Sequence, residues 1–233
     1  MKVFSIVSLA VFSLLFISCS EGDEVESGYK AGETNTVDVA WPGDSGEENY
    51  EIPECGPDTY PCPPYGTRRF QVLPDFPFIP VGYFAEDIAG PDGTAWMHDI
   101  HQLKAEGKKL LMLTVSAGWC SVCAYQLPNL DNVAEEYADE VVFLLVAQQD
   151  DDGYTADIDF AEDYQSRYNA DMANVFTTND FNFNFYNIMN VKAFPFNCFI
   201  DLNTMEILSY ESGLTSLAAY RTAIESGLSK VEK

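Results

Sequence analysis

The chain has 233 residues, which is enough for one ordinary domain with appendages. Its 37 acidic and 12 basic residues give a net charge of −25, which repels nucleic acids and anionic lipid surfaces. The sequence also lacks a glycine-rich phosphate-binding motif. Composition therefore argues against nucleic-acid binding and nucleotide chemistry.

The N-terminus has the pattern of a secretory signal. Lys2 supplies a positive charge, and a mainly apolar run extends from Val3 to Ile17 before the sequence turns abruptly acidic at Glu21. An apolar run of this length after a positive start is typical of a signal peptide rather than of a membrane span. We therefore expect residues 1–18 to be a cleaved signal peptide.

The end of this segment, LFISC, resembles the lipobox of bacterial lipoproteins. The resemblance implies that Cys19 is lipidated and becomes the first residue of the mature protein. Its acyl chains would anchor the protein to the membrane of the cell envelope. Ser20 after the cysteine points to the outer membrane, and the acidic stretch EGDEVE is similar to signals for surface display. The periplasmic and surface faces both stay open.

Residues 19–66 have the composition of a flexible tether. Between residues 20 and 58 there are twelve acidic residues and one lysine, with few apolar side chains. Such a segment buries too little surface to offset the entropy cost of ordering it. Within its end, the sequence CGPDTYPC places Cys55 and Cys62 among turn residues. In a compartment that permits disulfides, this spacing predicts a small disulfide loop with a structural role.

The rest of the chain, residues 67–233, predicts one α/β domain. Prolines interrupt its first extended segments, and a short helix is expected within Ala95–Gly107. The apolar runs KKLLMLTVSA and EVVFLLVAQ predict two strands buried on both faces, with a helix between them. A helix within Ala156–Tyr168, two strands joined by a turn at Asn203, and a closing helix over Thr215–Val231 follow. This order predicts a sheet sandwiched by helices.

The candidate active site is the sequence WCSVC, directly after the first buried strand. One face of the helix that follows carries residues at gaps of four and three: Cys123, Leu127, Leu130, Ala134 and Tyr137. Cys120 should therefore lie at the helix N-terminus, where unpaired N–H groups and the helix dipole lower the pKa of a thiol. Cys123 lies one turn later on the buried side. From there it could attack a mixed disulfide on Cys120, as thiol–disulfide exchange requires.

The stretch GWCSVCAYQLPNLDNVAEEY resembles the active-site helix of the thioredoxin superfamily, with Trp119 before the first cysteine and Pro128 five residues after the second. Downstream, VKAFPFNCFID is similar to the segment that carries that superfamily's cis-proline, here Pro195. The resemblance covers residues 67–233. It is nearest to the extracytoplasmic TlpA-like and redoxin-like thiol–disulfide oxidoreductases, because LPDF lies upstream and a lipoprotein leader is present.

This resemblance implies a thioredoxin-like three-layer α/β/α sandwich with a central mixed sheet. It implies that Cys120 is the nucleophile, that Cys123 resolves the mixed disulfide, and that no organic cofactor is needed. Trp119, Phe194 and Pro195 would shape the substrate groove. The implied partners are protein thiols and disulfides and a redox partner protein.

Three positions depart from the superfamily pattern. Val122 precedes the second cysteine where proline is common, so the direction of electron transfer stays open. Thr114 takes the strand position of thioredoxin's buried proton-accepting aspartate, and Gln126 stands where many TlpA-like proteins have glutamate. These two departures predict that proton transfer at Cys123 uses water or another carboxylate.

Other functions remain as alternatives. A zinc or copper site could combine the cysteine pair with His98 and His101 of WMHDIHQL. The cysteine pair could also be a structural staple, or a vestigial site in a binding module. The odd thiol, Cys198, shares a strand face with Phe196 and Ile200, which predicts a buried and inert residue.

Overall fold

The computed structural model describes residues 55–231 except 57–58, 83–84, 169–171, 173 and 180–192. The expected signal peptide, residues 1–18, lies outside the described residues, as do Cys19 and the tether up to residue 54. Within the described ranges, no helix has the length and apolar character needed to cross a membrane.

The described chain alternates strands and helices. Its strands are β1 (Pro77–Phe78), β2 (Ala95–Trp96), β3 (Leu110–Ala117), β4 (Val141–Gln149), β5 (Val175–Asn179), β6 (Phe196–Asp201) and β7 (Ile207–Ser212). Its α-helices are α1 (Ala85–Ile88), α2 (Met97–Gln102), α3 (Ser121–Glu136), α4 (Ile158–Ser166) and α5 (Leu217–Val231). A 3-10 helix, Leu103–Glu106, extends α2 to Gly107, whose φ of 94° provides a left-handed C-cap.

The main sheet has the strand order β5-β4-β3-β6-β7. Strand β4 runs parallel to β3 and to β5, whereas β6 runs antiparallel to β3 and to β7, so the sheet is mixed. All eight residues of the central strand β3 are buried. A continuous apolar run is what a strand covered on both faces requires.

Alternating residues of β3 point into two separate cores. Leu111, Leu113 and Val115 face a core completed by the segment 72–78 and by α2. Leu110 and Met112 face a second core formed with α3, α4 and α5. The sheet therefore lies between two layers, and the predicted three-layer α/β/α fold class is confirmed.

The predicted helices and strands are present with bounds that differ by a few residues, but α1, β2 and β5 were not predicted. The sequence of β5, VFTTN, has two apolar residues followed by three polar ones and carries no clear period of two. It is a strand because it pairs in parallel with β4, from Phe143–Val175 to Ala147–Asn179. Tertiary pairing outweighed a weak local preference.

Cys55 and Cys62 form a disulfide with their Cα atoms 4.9 Å apart. Between them, Tyr60 is 2% exposed, and its hydroxyl donates to the Leu73 carbonyl at 2.6 Å. The loop thus attaches the first described residues to the core. It also contacts the β6–β7 turn, through His101, which lies between the backbone oxygens of residues 59 and 203.

The loop and the dithiol lie at opposite ends of the central strand. Asp201, the last residue of β6, pairs with Leu110, the first residue of β3. The β6–β7 turn, and with it the disulfide loop, is therefore at the amino end of β3. Cys120 follows the carboxyl end of the same strand.

Replacing the loop disulfide with Cys55→Ser and Cys62→Ser should lower the free energy of unfolding by about 2 kcal/mol, because the unfolded chain regains loop entropy. Urea denaturation would measure the change. Both proteins should carry Cys120→Ser and Cys123→Ser, so that a reductant acts on one disulfide only. Reductant should then lower the denaturation midpoint of the parent to that of the variant. A parent whose denaturation midpoint does not change when reductant is added would contradict a structural role of the Cys55–Cys62 disulfide.

Candidate active site

The two cysteines lie where β3 ends and α3 begins. Cys120 is the N-cap of α3, with φ −83° and ψ 103°, and its Sγ accepts a hydrogen bond from the Cys123 backbone N–H at 3.3 Å. Both residues are buried, with exposures of 1% and 0%, and both are free thiols. A sulfur atom therefore takes the capping position that an oxygen usually holds.

The pair is electrostatically asymmetric. The Cys123 thiol donates to the Cys120 sulfur and, with the backbone N–H groups of Cys123 and Val122, lowers the pKa of Cys120 to about 7 against the opposing effect of burial. The same hydrogen bond, together with burial, raises the pKa of Cys123. Hydrogen bonds to an anion favour the charged form. Near neutral pH, a large share of Cys120 is therefore thiolate, whereas Cys123 stays a thiol.

The residues expected in the groove gather beside this pair. Trp119 is 44% exposed, and its Nε1 donates to Gln149 Oε1 at 2.7 Å. Its ring meets that of Phe194 edge-to-face, with centroids 5.8 Å apart. Phe194 packs against the cluster of Ala117, Cys120 and Cys123, and its peptide bond to Pro195 is cis. Trp119 reaches this cluster through its ring contact with Phe194.

The turn before the helix needs a glycine. A Cβ at Gly118 would lie 2.6 Å from Asp151 Oδ1 and 2.6 Å from Phe160 Cζ. The strand end can therefore approach the loop after β4 closely only without a side chain.

The side of β3 that faces α3 carries two hydroxyl groups, of which the sequence analysis identified only Thr114. Thr114 Oγ1 donates to Asn197 Oδ1 at 2.9 Å, across the register of β3 and β6. Ser116 Oγ lies 2.8 Å from the Tyr164 hydroxyl. The serine, a second hydroxyl within an apolar strand, was visible in the sequence. The partners of Thr114 and Ser116 were not, because they lie 83 and 48 residues away along the chain.

Gln126 is completely buried on this side, and neither its Oε1 nor its Nε2 forms a hydrogen bond of ordinary geometry among the described residues. Its amide still lies close enough to the Tyr220 hydroxyl to lower the pKa of that tyrosine. A poorly satisfied buried amide is costly. The glutamine therefore supplies no base, and its amide has only a weak contact with Tyr220.

The two histidines of the metal-site alternative belong to separate networks. His98 Nδ1 lies 2.8 Å from Asp75 Oδ2, and this hydrogen bond raises the pKa of His98. The ring nitrogens of His101 lie 3.0 and 3.2 Å from the backbone oxygens of Thr59 and Asn203, and burial lowers its pKa. In the part of the chain that the structure describes, no group of three or more His, Cys, Asp and Glu side chains could hold a metal ion. The CxxC and HxxH motifs therefore do not form one ligand set there.

Cys198 is fully buried in the core that contains Phe196 and Ile200. Burial raises the pKa of its thiol. A buried thiol in apolar surroundings is unreactive.

Comparison with known proteins gives a fold assignment. No protein-family model matches the sequence, and no curated protein does. Among solved structures, a candidate protein disulfide isomerase from Bacteroides thetaiotaomicron is similar at a TM-score of 0.50 and 13% identity, over 72% of this chain and 92% of that chain. This chain has a thioredoxin-like fold.

Two further thioredoxin-like structures are similar to the chain. One is the exposed lipoprotein thioredoxin Etrx1 of Streptococcus pneumoniae, with 24% identity, a TM-score of 0.47, and coverage of 65% of this chain and 98% of that chain. The other is the thioredoxin domain of a thiol–disulfide oxidoreductase from Bacteroides vulgatus, with 16% identity and a TM-score of 0.47. The similarity covers 68% of this chain and 97% of that chain. At these identities the likeness concerns the fold.

The poorly satisfied amide of Gln126 predicts that Gln126→Met stabilises the protein. Removing a buried unsatisfied group should raise the free energy of unfolding by about 1–3 kcal/mol. Gln165→Met is the matched control, because the amide of Gln165 donates to Thr177 Oγ1 and its loss should destabilise the fold. Denaturant titration measures both variants, and a destabilised Gln126→Met would show that the amide has a favourable role.

The pKa of Cys120 predicts that alkylation of the reduced protein accelerates as pH rises through about 7, instead of near the usual cysteine value of about 8.5. Replacing Cys123 with alanine removes the largest cause of the shift. This variant should therefore have a profile about one pH unit higher. Iodoacetamide kinetics on Cys198→Ala backgrounds measure both profiles. Coincident profiles would rule out the hydrogen bond as the cause.

Proposed function

We propose that this chain is a membrane-tethered extracytoplasmic thiol–disulfide oxidoreductase that exchanges the Cys120–Cys123 dithiol with protein thiols and disulfides. The observation that carries the proposal is the asymmetry of the pair, in which the pKa of Cys120 is lowered to about 7 and that of Cys123 is raised. A structural staple or a passive binding site has no need of one ionised and one protonated thiol. Thiol–disulfide exchange needs both.

The reaction uses the two sulfurs in sequence. The Cys120 thiolate attacks one sulfur of a substrate disulfide, which forms a mixed disulfide and releases the first substrate thiolate. Cys123 then attacks the Cys120 sulfur, the Cys120–Cys123 disulfide forms, and the second substrate thiolate leaves and takes up the proton lost by Cys123. The substrate gains two electrons and the dithiol loses two. The reverse sequence oxidises a substrate dithiol, and a redox partner protein returns the pair to its starting state.

The surroundings of the pair favour a polypeptide substrate. Cys120 is 1% exposed, so a substrate sulfur reaches it along the edge formed by Trp119, Phe194 and Pro195. Two aromatic rings provide apolar contact without selecting a particular side chain. The backbone beside Pro195 lies next to the cysteines, where an extended substrate chain can bind.

The location follows from the N-terminal sequence and from the disulfide loop. A disulfide between Cys55 and Cys62 is typical of an oxidising compartment outside the cytoplasm. We infer a signal peptide at residues 1–18, lipid attachment at Cys19 and a tether that ends at residue 66. A flexible chain of roughly 35 residues spans on the order of 30 Å. The tether joins the domain at the amino end of β3, so the dithiol at the other end of the strand can face away from the membrane.

Replacing Cys120 with serine should abolish reduction of a disulfide-bonded peptide by the reduced protein, because the nucleophile is lost. Cys123→Ser should instead accumulate a mixed disulfide with the peptide, because attack still occurs and resolution does not. Mass spectrometry under acid quench detects the adduct. Cys198→Ser, which removes the third free thiol, is the control and should keep the parent rate. Undiminished exchange by Cys120→Ser would refute the proposed function.

A further inference from the structure

A connected row of hydroxyl groups lies beneath the resolving cysteine. Ser116 is fully buried near the end of β3, and its hydroxyl acts on the Cys123 sulfur, since it lowers the pKa of that thiol. Its Oγ is 2.8 Å from the hydroxyl of Tyr164, which reaches it from α4. The Tyr164 hydroxyl also lies 3.3 Å from the carbonyl oxygen of Ala117. The row therefore leads from the Cys123 sulfur through two hydroxyls to a backbone oxygen, and we call it the hydroxyl chain.

The hydroxyl chain can point in either direction, because each hydroxyl both donates and accepts. In the mixed disulfide, where Cys120 is no longer a thiolate that accepts the Cys123 proton, the Cys123 thiol donates to Ser116, Ser116 donates to Tyr164, and Tyr164 donates to the Ala117 oxygen. With a Cys123 thiolate, Tyr164 donates to Ser116 and Ser116 donates to the sulfur. The Ala117 oxygen keeps a partner in both cases, since it also accepts from the Cys120 backbone N–H at 3.2 Å. Reversal therefore leaves no buried group of the chain unpaired.

The groups that face Cys123 are neutral apart from Cys120 itself. Tyr164 approaches from α4 and Tyr220 from α5, and burial raises the pKa of both hydroxyls. Among the described residues, no carboxylate contributes to the pKa of Cys123. Thr114 does not replace one, because its hydroxyl donates to Asn197. Of the two expected sources of proton transfer, water or another carboxylate, no carboxylate acts on Cys123 among the described residues, and hydroxyls lie beside it.

We propose that Ser116 and Tyr164 stabilise the developing thiolate of Cys123 while it resolves the mixed disulfide. This inference rests on the proposed function. Ser116 touches the reacting sulfur, whereas Tyr164 is a positioning residue that orients the serine hydroxyl. Its ring is held by Phe160, stacked at 5.5 Å, and by Tyr168, edge-on at 6.1 Å. The proton leaving Cys123 ends on the departing substrate thiolate, so no further acid or base is consumed.

The resolving step can be measured alone. Glutathione is attached to Cys120 with an activated disulfide at low pH, and its release by Cys123 is followed after a jump to each pH. Ser116→Ala should slow release about tenfold at each pH below the plateau and shift the pH profile upward by about one unit. Tyr164→Phe should also shift the pH profile upward, by a smaller amount than Ser116→Ala. Attack of Cys120 on the activated disulfide should keep the parent rate in both variants.

Tyr220→Phe is the matched control for Tyr164→Phe. It removes an equally buried tyrosine hydroxyl that interacts with Gln126 instead of with Ser116, and it should leave the profile unchanged. Ser116→Thr restores a hydroxyl and should recover the parent profile. If Ser116→Ala does not fold, the two tyrosine variants decide the question, because each loses one oxygen and keeps its ring.

Profiles of Ser116→Ala and Tyr164→Phe that coincide with that of Tyr220→Phe would overturn the proposal. A Ser116→Thr variant that stays as slow as Ser116→Ala would assign the effect to packing and would also overturn it. Failure of the proposed function gives a different result, in which Cys120→Ser retains full peptide reduction. The glutathione adduct is made chemically, so release from it reports on the hydroxyl chain in either case.

Discussion

The chemistry of this protein depends on the junction where a fully buried strand ends and a helix begins. Strand β3 has no exposed residue, so its carboxyl end is fixed by contacts on both faces and by two neighbouring strands. The first turn of α3 offers unpaired N–H groups at this fixed point. Cys120 occupies the cap and Cys123 the first buried position of the helix. One thiol is thereby stabilised as an anion and the other is kept protonated within the same helical turn.

The chain has a net charge of −25. Among the described residues, however, no charged side chain other than Cys120 acts on Cys123. An ionised carboxylate there would be costly to bury and would disfavour a second anion on Cys123. Hydroxyls avoid this conflict, because they donate to a thiolate without carrying a charge of their own. The buried amide of Gln126 has no hydrogen bond of ordinary geometry and only the Tyr220 hydroxyl close to it. The same region therefore contains a satisfied polar chain and a poorly satisfied amide.

The two ends of the sheet have separate tasks. At the amino end of β3, the disulfide loop, Tyr60 and His101 attach the first described residues to the domain through buried contacts. At the carboxyl end lie the dithiol and the exposed edge of Trp119. This separation keeps the two cysteine pairs far apart, since a strand of eight residues is about 26 Å long.

The sequence by itself determined the order of helices and strands, the buried character of β3 and β4, and the positions of the two cysteines on α3. These features depend on residue spacing along one element, which periodicity reveals. Only the tertiary structure decided that VFTTN is a strand, that His98 and His101 belong to different networks, and that Ser116 meets Tyr164 beneath Cys123. Each of these depends on a partner far along the chain, 48 residues away for Ser116 and Tyr164. Packing between elements, not local spacing, chooses such partners.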